Sequence, residues 1–298
     1  MEREINLPEL GRVRIIKNLP SNNRKVLIVE KEGEYYVVKI FHGQEEWIDK
    51  IFSYRQQLEN FGILCVPIIS LTKFENQIIE IEPALTVRGD LAERLEKSSQ
   101  EEAIRLIEKL CSGLKPLLSY PQDDLPVGID VVLRNFAVKD SKIYYLDFFP
   151  PKIRLGQEFI LEKPEPTDSK VIKAGYYRHY NKSGVALTLL IHLGRARPDL
   201  WLYIHQLIAA YSDQKFQNYL VKLSAVKDLK DGIGLFPSER CYLFYRYFAC
   251  YLASFSPNES RQKLDQIFHL THFQDKPLSR ERLKIVRKEL EKWLKEIQ

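Results

Sequence analysis

The chain has 298 residues, 45% of them hydrophobic, with 16 Tyr and 15 Phe, which is enough apolar material for a large core and excludes a disordered chain. Its net charge of +5 is uneven: through Ala84 there are 11 Lys and Arg against 13 Asp and Glu, and beyond it 34 against 27. Spread over so long a segment, the basic excess reads as a solvated surface, and nucleic-acid binding is not expected.

The start, Met1-Glu2-Arg3-Glu4-Ile5, has no basic segment followed by an apolar run, so no secretory signal is expected. The longest apolar stretches, Val185–Leu193 and Cys241–Phe255, fall below the ~20 residues of a membrane span, and the second contains Arg246. A cytoplasmic location follows as the expectation. Cys65, Cys111, Cys241 and Cys250 form no C-x-x-C pair and sit in apolar surroundings, as reduced core residues do.

Residues 12–40 alternate as three strands, with turns at Asn18–Asn23 and Lys31–Glu34. The third, Tyr36-Val37-Val38-Lys39-Ile40, is β-branched and carries one lysine. Gln44–Asn60 reads as an amphipathic helix with Trp47, Ile51, Tyr54 and Leu58 on one face. Cys65–Ser70 and Gln77–Glu82 read as two further strands, the latter ending at Pro83. Helices are expected over Asp90–Glu96 and Gln100–Leu118, the second broken by Pro116. A hairpin of Asn135–Lys139 and Lys142–Asp147 turns at Asp140-Ser141.

From Pro151 to Ser183 the chain is rich in charge, Pro and Tyr without periodicity, the composition of a substrate-facing insertion or lid. Its string Tyr176-Tyr177-Arg178-His179-Tyr180 suits packing of the loop onto the rest of the protein, with substrate contact as the alternative. A buried helix starts at Lys182-Ser183-Gly184. More helices follow over Pro198–Tyr211, Gln214–Leu223, Ser238–Ser254 and Glu259–Phe268, and a last one begins at Ser279.

The chemistry-bearing motif is Gly128-Ile129-Asp130-Val131-Val132-Leu133-Arg134-Asn135, followed twelve positions later by Asp147-Phe148-Phe149. It sets Asp, Asn and Asp at the spacing of a phosphotransferase base and two magnesium ligands. With the lysine strand, helix and hinge strand upstream in that order, the chain resembles the protein-kinase-like superfamily. Within it, the aminoglycoside phosphotransferase and small-molecule kinase branch is more similar than the eukaryotic protein kinases.

The resemblance implies a bilobal α+β fold, with a small β-rich N-lobe at 1–84 and a larger helical C-lobe at 85–298. It implies Asp130 as catalytic base, Asn135 and Asp147 as Mg²⁺ ligands, and Lys39 on the α/β-phosphates of ATP. An acid on the helix after the lysine strand pairs with that lysine in relatives; Glu46 is the first candidate and Asp49 the second. Backbone groups of Glu80 to Ala84, including Glu82, would meet the adenine edge at the hinge. Arg134 suits either a phosphate contact or a surface ion pair.

Three departures stand out. Gly128 replaces the usual His two residues before Asp130, so the catalytic loop must be braced from elsewhere. Phe149 replaces the glycine of protein kinases, and Pro150-Pro151 stiffen the exit. In place of a glycine-rich loop stands Asn18–Asn23, where Ser21, Asn22 and Asn23 suit either phosphate cover or an ordinary hairpin turn.

The implied activity is ATP-dependent phosphate transfer to the hydroxyl of a small molecule. The alternative is a catalytically weak or inactive kinase-like nucleotide-binding or regulatory protein. A hydrolase built on His42, His179, His192 and His205 with cysteines has no supporting spacing.

Overall fold

The structure is a computed structural model; it describes residues 4–19, 24–85, 90–155, 158–159, 176–224, 241–269 and, near the C-terminus, 287–288, 290–292, 294–295 and 297. The fold is α+β, with two compact units: residues 1–91 with 134–160, and residues 92–133 with 161–298. The first is built on a sheet and the larger second one on helices. Besides the segment expected as an N-terminal lobe, the first unit thus includes the returning stretch 134–160.

The first unit is an antiparallel sheet of β1 (Glu4–Leu7), β2 (Gly11–Leu19), β3 (Lys25–Lys31), β4 (Glu34–His42), β5 (Ser70–Phe74) and β6 (Gln77–Pro83), ordered β1-β2-β3-β4-β6-β5. Helix α1 (Glu46–Asn60) connects β4 to β5. The lysine strand, the helix and the strand expected as a hinge therefore occur in the order expected of the protein-kinase-like fold. Val13, Leu27, Val29, Val38, Ile79 and Ile81 fill one face with Leu7 and Leu10. Each fully buried aliphatic contributes ~1.5–3 kcal/mol relative to exposure.

The β3–β4 turn uses φ of 55° at Glu32 and 86° at Gly33, whose N–H donates to Glu30. Strand β1 escaped the alternation rule because it is short and largely exposed.

The fifth strand lies at Ser70–Phe74 and not at Cys65–Ser70. Pro67 has no N–H to give a ladder, and the preceding residues pair elsewhere: Val66 N donates to Tyr145 O at 3.0 Å and Tyr145 N to Leu64 O at 2.8 Å. That partner belongs to the hairpin of β7 (Phe136–Lys139) and β8 (Lys142–Tyr145). Its turn has φ of 49° at Asp140 and 62° at Ser141, the two left-handed residues a tight hairpin needs.

The helical unit contains α2 (Leu91–Lys97) beyond its first residue, then α3 (Gln100–Leu118), α4 (Lys182–Ala196), α5 (Trp201–Tyr211), α6 (Gln214–Ser224), α7 (Cys241–Ala253) and α8 (Pro257–His269). Ser99 caps α3 by accepting from Glu102 N. Pro116 does not break α3: it falls in the last turn, two residues before the helix ends. Helix α4 is buried almost all round and packs on α3, α5 and α7.

Two glycines allow that packing. A Cβ on Gly184 would lie 1.8 Å from the Tyr177 carbonyl oxygen, and one on Gly194 would lie 2.5 Å from the Trp201 ring. Among the described residues no helix is long and apolar enough to cross a membrane. Cys65, Cys111 and Cys250 are buried free thiols, each pushed up to about 12 by burial. The expected start of a final helix at Ser279 lies outside the described residues.

Candidate functional site

Strand β4 brings Lys39 to the sheet face opposite the apolar cluster. Register sets Lys39 against Glu80 and Val37 against Glu82, so the alternation that buries Ile79 and Ile81 on one face turns Glu80 and Glu82 to the other. Lys39 Nζ donates to Glu80 Oε1 at 3.0 Å, Glu82 Oε1 at 2.7 Å and the Leu146 carbonyl at 2.6 Å. All three side chains are buried. Burial opposes the Lys39 charge, but Glu80 and Glu82 outweigh it and the net shift is upward. Burial also pushes Glu82 well above the usual carboxylate range, against the pull of Lys39 and with help from Glu80.

The acid partner of Lys39 is therefore the Glu80/Glu82 pair and not Glu46. Glu46 sits in the first turn of α1 and pairs with Lys50, four residues on, at 2.9 Å. The adenine-facing backbone expected at Glu80 is already enclosed, because β6 lies between β4 and β5 at that position, and Ala84 N donates to Tyr35 O. Ser21, Asn22 and Asn23 lie outside the described residues.

The hairpin delivers the next group. Leu146 N donates to Asn135 O at 2.9 Å, which ties the Asn135 end of the hairpin to the residue before Asp147. Asp147 is buried and faces two cations. Arg24 Nη2 stands 2.5 Å from Oδ1, and Lys152 Nζ stands 3.4 Å from Oδ2. Arg24 Nη1 also donates to the Phe149 carbonyl at 3.0 Å, and Lys152 Nζ to the Pro150 carbonyl at 3.4 Å. Phe149 stacks on Phe41 at 3.9 Å between ring centroids and meets Trp47 edge-on at 5.6 Å. The residue standing where protein kinases have glycine thus anchors the segment to β4 and α1.

Magnesium on Asn135 and Asp147 does not fit this arrangement. Both carboxylate oxygens of Asp147 already face cations. At 4 Å and an effective dielectric of 20, two unit charges repel by ~4 kcal/mol, and a divalent ion beside Arg24 by about twice that. Among the described residues no group of three or more His, Cys, Asp or Glu is assembled to hold a metal.

Asp130 belongs to the helical unit. It is buried, and its Oδ1 accepts from Arg178 Nη2 at 3.0 Å and from Val132 N at 3.4 Å. Ile129 N donates to His179 O at 3.0 Å, while Ile129 O stands 3.2 Å from His179 Nδ1. Leu125 N donates to Tyr180 O at 2.7 Å and Lys182 N to Asp123 O at 2.8 Å. The brace that Gly128 does not provide is therefore supplied by residues 178–182, where the helical turn that ends at Tyr180 and the following Asn181-Lys182 bond to residues 123–130.

The tyrosine-rich string packs, with Tyr177 and Tyr180 buried. Lys182 pairs with Asp213 and donates to Tyr120 O. Nothing in the sequence marks Arg24 or Lys152, because an arginine in a polar loop end and a lysine after two prolines carry no periodic or motif signal.

No protein-family model and no curated protein sequence matches the chain. Among solved structures the chain is similar to a mutant form of the Mycobacterium tuberculosis PknI kinase domain, with 10% identity and a TM-score of 0.37, covering 72% of this chain and 96% of that one.

Proposed function

We propose that this protein is a kinase-like phosphotransferase that moves the γ-phosphate of ATP to a hydroxyl of a small molecule. The observation that carries the reading is the Lys39 contact with the carbonyl of Leu146, across 107 residues of chain, which joins the lysine strand to the Asp147 hairpin. Lys39 and the hairpin end that carries Asp147 with its cations Arg24 and Lys152 are thereby held in one unit.

In this reading the acceptor oxygen forms a bond to the γ-phosphorus, the bond from that phosphorus to the β-bridging oxygen breaks, and ADP leaves with the electron pair. The hydroxyl proton passes to the Asp130 carboxylate, which Arg178 orients. Lys39 balances charge on the phosphates. No step is assigned to a metal ion. The anchored Phe149 in the first unit and the hydrogen-bonded segment 178–182 in the second each lack the adjustability of a protein-binding loop, which favours a small-molecule acceptor.

A second reading, nucleotide binding with little or no turnover, is favoured by the ion pairs on Asp147 and Asp130. The deciding experiment is a metabolite screen for ATP consumption, run with parent protein and Asp130→Asn side by side. Hydroxyl-dependent ADP release that Asp130→Asn abolishes supports the transferase; ATP binding without consumption by any acceptor supports the binding protein.

A further inference from the structure

Asp147 is the acid expected to hold a divalent ion, yet the group on its Oδ1 is a guanidinium. Arg24 is fixed at two points, Asp147 at 2.5 Å and the Phe149 carbonyl at 3.0 Å, so its position is built and not incidental. Lys152, itself buried, takes the other oxygen and is likewise fixed by a backbone carbonyl. Arg24 also follows Asn23 directly in the chain, at the end of the loop expected to lie over phosphates.

We propose that Arg24 takes the place of a divalent cation on Asp147, so that this site binds the polyphosphate of a nucleotide without a metal ion.

The charge inventory favours an anion over a cation. Arg24, Lys39 and Lys152 stand against Glu80, Glu82 and Asp147, all within the first unit. Burial raises Glu82 and so weakens its hold on negative charge, which tilts the balance toward the cations. A guanidinium has five N–H donors in a planar fork, and the two contacts named for Arg24 use only part of that set. It bridges a carboxylate and phosphate oxygens in the manner of a metal ion, without an octahedral water shell.

The inference rests on the nucleotide-binding half of the proposed function, and the test separates the two. ATP binding to the full-length chain is measured by calorimetry in EDTA and in excess Mg²⁺, for the parent and for Arg24→Gln. Mn²⁺ binding without nucleotide is followed by electron paramagnetic resonance.

The parent is expected to bind ATP equally in both buffers and to hold no stoichiometric Mn²⁺. Arg24→Gln is expected to lose about tenfold or more in EDTA, the loss of one charge-assisted contact. It should also acquire a Mn²⁺ site that Asp147→Asn removes. Parent binding that requires Mg²⁺, or an Asp147-dependent Mn²⁺ site in the parent, overturns the inference and leaves the nucleotide reading standing. Absence of ATP binding in both buffers overturns both. Should Arg24→Gln not fold, the parent measurements alone decide.

Discussion

Glu82 Oε1 lies 2.7 Å from Lys39 Nζ, although the sheet register sets Glu82 opposite Val37 and gives Lys39 to Glu80. One lysine therefore serves two buried carboxyl groups, one directly across the ladder and one on the diagonal, and this shared contact governs how the site responds to substitution.

Removing the lysine leaves the acids without compensation. Lys39→Met is expected to destabilise the fold by about 3–5 kcal/mol, the usual loss when one partner of a buried ion pair is deleted. Adding Glu80→Gln and Glu82→Gln should restore much of it. Urea titration of the single and triple variants checks this; equal stability of Lys39→Met and parent would place the acids in water.

The raised Glu82 carboxyl has a pH signature. In the folded chain it holds its proton above the usual carboxylate range, whereas the unfolded chain releases it within that range. The folded state then binds more protons, so this group's contribution is complete below the unfolded value and declines as pH rises toward the folded one. Glu82→Gln should abolish that decline in denaturation curves recorded from the usual carboxylate range upward.

His192 acts with the opposite sign. Burial first, and then Arg178, lower it from 6.5 to about 3. Between these values the unfolded chain takes up a proton that the folded one refuses, so stability falls as pH drops below 6.5. A His192→Gln variant should show a flatter acid limb, read as melting temperature between pH 6.5 and 4.

Gly184 is a packing requirement. With a Cβ 1.8 Å from the Tyr177 carbonyl oxygen, Gly184→Ala must push α4 away from residues 176–180. A loss of about 1–3 kcal/mol is expected, as for other overpacked sites. Because the displaced segment carries the Arg178 and His179 contacts to the Asp130 loop, any acceptor turnover should fall as well, while Gly113→Ala, with open space around its added Cβ, should affect neither.

Asp130→Asn separates chemistry from nucleotide affinity. Acceptor-dependent ATP turnover is expected to drop by roughly 10²–10⁴, the contribution of a positioned general base. The ATP-induced shift in melting temperature should persist, because the phosphate-side cations Lys39, Arg24 and Lys152 all belong to the other unit. Parental turnover in this variant would assign the base elsewhere.

Elements with local periodicity were legible in the sequence. Alternation marked β2, β3 and β4, the 3.6-residue repeat marked α1, and Asp140-Ser141 marked the hairpin turn. Structure departs from local preference where a nonlocal partner competes with it. Cys65–Ser70 is apolar and β-branched enough for a strand, but its first residues are claimed by Tyr145 and Pro67 cannot extend the ladder. Glu46 lies on the expected helix, but Lys39 finds its acids on β6, and Glu46 pairs with Lys50 one turn away.

By itself the sequence determined which residue types make up the candidate set and on which elements: a lysine on a buried strand and an Asn and an Asp at the two ends of a hairpin in the first unit, and an Asp in a loop of the second. Local rules suffice for that, because alternation and turn geometry act over a few residues. Tertiary structure alone decided the partners: Arg24 for Asp147 across 123 residues, Glu80 and Glu82 for Lys39 through strand register, Arg178 for Asp130 across 48. A buried charge takes whatever opposite charge the folded chain delivers within hydrogen-bond reach, and that choice depends on register and chain return, which no local pattern encodes.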